Sequence, residues 1–70
     1  MKQIPWNKLT PEEKIVVKYF LTYKSVGDLI ILRDLRMKGI ERPTRVLESL
    51  IQKGILVKGE GCYSLSKEYR

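Results

Sequence analysis

Glu41-Arg42-Pro43-Thr44-Arg45-Val46-Leu47-Glu48-Ser49-Leu50-Ile51-Gln52-Lys53-Gly54-Ile55-Leu56, residues 41–56, is the stretch from which the fold is best read. Pro43 lacks the N–H that a first helical turn leaves idle, and Gly54 is free to take the left-handed conformation that ends a helix. Together they bracket a helix over about 43–53. Within it Val46, Leu47, Leu50 and Ile51 recur at helical spacing and form a stripe for a core, leaving Arg45, Glu48, Ser49 and Gln52 on the outer face. Beyond Gly54 the pattern changes. Ile55-Leu56-Val57-Lys58 and Cys62-Tyr63-Ser64-Leu65-Ser66 flank Gly59-Glu60-Gly61, which predicts a β-hairpin with strands at about 55–58 and 62–66 and a turn of three or four residues.

Working upstream, Met37-Lys38-Gly39-Ile40 closes a preceding helix, with Gly39 at the position just past its end. That helix covers about 28–38 and directs Leu32 and Leu35 inward, with Arg33, Asp34, Arg36 and Lys38 exposed. Its start reads two ways: Leu29-Ile30-Ile31 opens a helix capped by Asp28, or forms a short strand before a helix from about 32. Lys24-Ser25-Val26-Gly27-Asp28 is turn chemistry. Before it, Thr10-Pro11-Glu12-Glu13 has the form of a capping box, with Pro in the first turn and Glu three residues after Thr, and starts a helix over about 10–23. Val16, Phe20 and Tyr23 define its apolar stripe, widened by Ile15, Val17, Tyr19 and Leu21, with Lys14, Lys18 and Thr22 opposite. Residues 1–9 have no periodicity and read as an arm whose order depends on Trp6 finding a pocket, and residues 67–70 read as a frayed tail. The chain is thus one α+β, mostly α domain over about 10–66.

Seventy residues leave room for one small core and for no second domain. With no His, one Cys and no Gly-rich phosphate loop, the chain lacks a Ser-His-Asp triad, a four-ligand zinc site and an internal disulfide, so we expect no enzyme, no metal and no cofactor. Glu12 and Glu13 belong to the capping box, not to a catalytic carboxylate pair. No apolar run is long enough to span a membrane and the N-terminus has no secretory h-region, which predicts a cytoplasmic protein. A Lys-, Glu- and Ile-rich composition without His leans toward a thermophile, archaeal-like in character.

Helix, connector, helix, tight turn, helix, hairpin resembles a winged helix-turn-helix domain. Residues 33–40 look like the first helix and turn of its motif, and residues 41–56 are similar to its second helix running into the wing. The resemblance implies double-stranded DNA as the partner, helix 3 in the major groove and transcriptional regulation as the use. On this reading Arg45 reads guanine, Ser49 and Gln52 lie farther along the same face, and Thr44 bonds a phosphate from the helix N-terminus. Arg36, Lys38 and Arg42 around the turn, Lys53 at the helix end and Lys58 at the hairpin rim neutralise phosphates.

Fourteen Lys and Arg against eight Asp and Glu give a net charge of +6, which favours an acidic partner. The excess is dispersed: residues 1–27 carry +3, and 28–40, 41–54 and 55–70 carry +1 each. Glu48 in the middle of the helix 3 face and Glu60 at the hairpin tip have the wrong sign for DNA. The alternative is therefore a winged-helix module that binds a protein partner within a larger assembly, which an exposed apolar patch at Trp6, Ile4 or Met37 would favour. Tyr19, Tyr23 and Tyr63 follow the buried stripes and read as core or rim, and Cys62 as a small buried hydrophobe. Monomer and homodimer are both compatible with the chain.

Overall fold

The computed structural model describes residues 3–69. Three helices, α1 (Pro11–Tyr23), α2 (Asp28–Met37) and α3 (Pro43–Gln52), pack with three strands, β1 (Ser25–Gly27), β2 (Leu56–Gly59) and β3 (Cys62–Leu65). The α+β, mostly helical class and the positions of all three helices agree with the sequence reading.

Each helix is bounded by the chemistry its termini carry. At the start of α1 the Glu13 N–H donates to Thr10 Oγ1 at 3.2 Å and the Thr10 N–H donates to Glu13 Oε1 at 2.9 Å, so the capping box is reciprocal. The ends of α2 and α3 repeat one solution. Gly39 at φ 95° and Gly54 at φ 77° turn the chain left-handed. The next amide, of Ile40 or Ile55, then donates back to Leu35 or Leu50 at 3.0 Å in each case. Both isoleucines are buried, so each turn also inserts an apolar plug into the core.

Residues 29–31 are helical: α2 starts at Asp28, whose N–H donates to the Gly61 carbonyl at 2.9 Å, and Gly27 is its N-cap. This start phases the helix so that Ile31 and Leu35 are fully buried, whereas Leu32 is only half-buried against the core. The strand lies just upstream, in residues read as a turn. β1 pairs antiparallel with β3, with Val26 opposite Tyr63, and β3 pairs with β2, with Leu56 opposite Leu65, giving the order β1-β3-β2. Three residues carry too short an alternation to read as a strand; β1 owes its state to the partner that tertiary structure brings beside it. Gly59 pairs directly with Cys62, so the hairpin turn is the two residues Glu60 and Gly61, shorter than expected, with Gly61 at φ 73°.

The core joins Val16, Val17 and Phe20 of α1 to Ile31 and Leu35 of α2, Leu47 and Leu50 of α3, and Leu56, Tyr63 and Leu65 of the sheet. Both ends of the described chain join it too. The arm is held by Ile4, packed against the core, and by buried Leu9, while Trp6 sits in a short 3-10 turn (Trp6–Lys8) and is partly exposed. The tail read as frayed forms a second 3-10 turn (Lys67–Tyr69), with Tyr69 packed on the core. The expected fraying at position 70, and the arm at positions 1 and 2, lie outside the described residues.

Candidate functional site

The outer face of α3 differs from the solvated reading helix expected from its sequence. Ser49 Oγ donates to Glu13 Oε2 at 2.7 Å, and the Lys53 ammonium donates to both carboxylate oxygens at 2.8 and 2.9 Å. Glu13 itself is 2% exposed. Burial alone raises its pKa, but the hydrogen bonds from Lys53, the Thr10 amide and Ser49, with the Lys53 charge, outweigh it and hold the carboxyl at about 2. Ser49 and Lys53 thus fasten α3 to the start of α1, and their polar atoms are directed at Glu13. Thr44, Arg45 and Gln52 remain exposed on α3, with Arg42 exposed at its N-cap.

Arg42 and Arg45 line an open cleft of about 590 Å³ between α3 and the α1 N-terminus, but Glu12 and Glu41 line the same cleft. The guanidinium groups therefore stand among carboxylates, in a mixed electrostatic environment. The remaining candidates lie apart from them. Arg36 is exposed late in α2, Lys38 follows that helix with its ammonium 6.0 Å from the Tyr19 ring centroid, and Lys58 on β2 lies 5.5 Å from the Tyr63 ring centroid.

A second surface joins α1 to α2. Because Glu13, Val16, Val17 and Phe20 take the core face of α1, Ile15, Tyr19 and Tyr23 form a separate stripe at spacings of four. Tyr19 is half-buried and pinned: its hydroxyl donates to Asp34 Oδ2 at 2.7 Å, and its ring meets Phe20 edge-on at 5.7 Å. Burial and the Asp34 carboxylate raise its pKa to about 12, so it stays protonated. Tyr23, read from sequence as core or rim, packs on Tyr19 with ring centroids 4.8 Å apart and is 60% exposed. From α2, Met37 lines this surface and is 79% exposed; Leu29 and Ile30, at the other end of the helix, are exposed as well. Two adjoining hollows, of about 350 and 230 Å³, share Tyr19, Tyr23 and Lys38. The fourfold spacing of Ile15, Tyr19 and Tyr23 is visible in the sequence, but the core face of α1 has to be known before the three can be separated from it.

Among the described residues no cluster of His, Cys, Asp or Glu suits a metal ion, and Cys62 is a half-buried free thiol. No helix of the described chain is long and apolar enough to cross a membrane. No curated protein matches the chain. The family model described as PBP2, PolB1 Binding Protein 2, matches residues 10–70, which takes in all three helices, the sheet and both surfaces, and the chain therefore belongs to the PolB1 Binding Protein 2 family.

Proposed function

We propose that this chain is a winged-helix interaction module that binds the DNA polymerase PolB1 as a small accessory subunit and has no catalytic activity of its own. The observation that carries the reading is the pair of large apolar side chains, Met37 and Tyr23, exposed beside one hollow on a chain whose family is described by polymerase binding. Exposed apolar side chains scattered singly need no partner, but Tyr23 and Met37 line the same hollow, the arrangement that a partner's apolar surface covers. Three helices with a β-hairpin after the third, and β1 completing the sheet, support the winged-helix assignment.

The DNA-regulator expectation is less well supported. Ser49 and Lys53 are bound to Glu13, Glu12 and Glu41 line the same cleft as the exposed arginines, and Glu48 is exposed on the same helix. The exposure of Arg42 and Arg45 favours, as a second reading, a contact of this face with duplex DNA held by the polymerase. Co-elution of the purified chain with PolB1, together with fluorescence anisotropy of the chain alone on a labelled random duplex, tests both. Stable co-elution with weak duplex binding at moderate salt is expected. Failure to associate with PolB1, combined with steeply salt-dependent duplex binding that Arg45→Ala weakens, would restore the DNA-binding reading.

A further inference from the structure

We propose that the groove between α1 and α2, built from Ile15, Tyr19, Tyr23 and Met37 and rimmed by Lys18 and Lys38, receives an amphipathic helix of the polymerase whose apolar stripe is flanked by carboxylates. The proposal rests on the reading of the chain as a PolB1-binding module and names the surface and the chemistry of its occupant. The groove floor is organised before any partner arrives. Tyr19 is held by Asp34 and by its edge-on contact with Phe20, so little side-chain freedom remains to be lost there on binding. Tyr23 and Met37 stand above that floor as large apolar side chains of the kinds enriched where protein interfaces are buried.

The dimensions suit a helix. Ile15 to Tyr23 spans eight helical steps, about 12 Å of rise, which a partner matches with roughly two turns carrying apolar residues three and four apart. Charge sets the flanks. Asp34 accepts the Tyr19 hydroxyl and lies 3.8 Å from the Arg33 guanidinium, so its negative charge is engaged within the chain. Lys18 and Lys38 are exposed at the groove, so the rim it presents is positive. A second copy seated in the groove would set lysine against lysine, whereas a helix bearing Glu or Asp beside its apolar stripe would pair with both.

The test measures affinity of the full chain for PolB1 at two salt concentrations, using Tyr23→Ala, Met37→Asp and the double variant Lys18→Glu/Lys38→Glu. Arg45→Ala, in the separate cleft between α3 and the α1 N-terminus, is the control, and thermal melts establish that every variant is folded. Tyr23→Ala and Met37→Asp are each expected to weaken binding by about thirtyfold, the loss typical of an interface anchor. The lysine double variant is expected to weaken it about tenfold at low salt and to flatten its salt dependence. Arg45→Ala is expected to bind like the parent. Parent-like affinity of all three groove variants would overturn the groove and leave polymerase binding intact; no association of the parent chain would overturn both. Two further results would replace the proposed occupant: a dimer of the free chain that Met37→Asp dissociates, and single-stranded DNA binding that Tyr23→Ala abolishes.

Discussion

Glu13→Gln is the substitution that most directly tests how the chain is held together. The carboxylate joins the α1 cap to two side chains of α3, and its pKa falls from 4.5 to about 2 in the fold. A tenfold change in proton affinity is worth about 1.4 kcal/mol, so the ionised form contributes at most about 3.5 kcal/mol at neutral pH. The Lys53 side chain is 38% exposed, so solvent screens part of its attraction, and we take about 2 kcal/mol as the expected loss. Gln keeps an acceptor for the Thr10 amide but gives up the charge that orders Lys53. For a domain of this size the loss lowers the melting temperature by about 8–16 °C. The sign with pH follows from the depressed pKa: the stabilisation is complete above 4.5 and disappears as pH falls towards 2. Thermal melts of parent and variant from pH 7 to pH 2.5 should therefore converge at the acid end. A neutral-pH difference below about 0.5 kcal/mol, or one that does not shrink with acid, would refute the network as the tie between α1 and α3.

Three further outcomes follow from individual contacts. Tyr19→Phe keeps the ring and removes the bond to Asp34, so it should cost about 1 kcal/mol in urea denaturation. In the parent, the part of stability linked to Tyr19 ionisation is complete below pH 10 and lost as pH rises towards 12, a slope that Tyr19→Phe should remove. Lys24 holds φ 60° and ψ −50° just after α1, a strained conformation for a residue with a side chain, and Lys24→Gly should raise the melting temperature by relieving about 1 kcal/mol net. Gly54→Ala meets open space but must hold φ 77°, so calorimetry should show a loss of about 1 kcal/mol from backbone strain alone, without a cavity or clash.

Helix positions are legible in the sequence because their boundary residues act locally. Thr10, Pro11 and Glu13 specify a helix start with atoms no more than three residues apart, and Gly39 and Gly54 specify helix ends through their own backbone freedom. The hairpin is legible for the same reason, apart from the length of its turn, which depends on Gly59 pairing directly with Cys62. Surface roles are harder to read. Ser49 and Lys53 lie on the polar side of a clean amphipathic pattern, so helical periodicity places them in water, yet they approach Glu13 36 and 40 residues earlier in the chain. The exposure of Tyr23 escapes the pattern because α1 has apolar residues on more than one face.

Composition and local pattern by themselves determined the α+β class, the three helices and the hairpin, since each depends on residue identity or on contacts within a few positions. Only the tertiary structure decided that Ser25–Gly27 is a strand, that Glu13 is a buried anchor and not merely a cap, and that Ile15, Tyr19, Tyr23 and Met37 meet in one surface groove. A strand needs a neighbour for its hydrogen bonds, a buried charge needs a counter-charge from elsewhere in the chain, and a groove needs two helices side by side. Those are relations between distant segments, set when the core of α1, α2 and α3 closes and not by the residues adjacent in sequence.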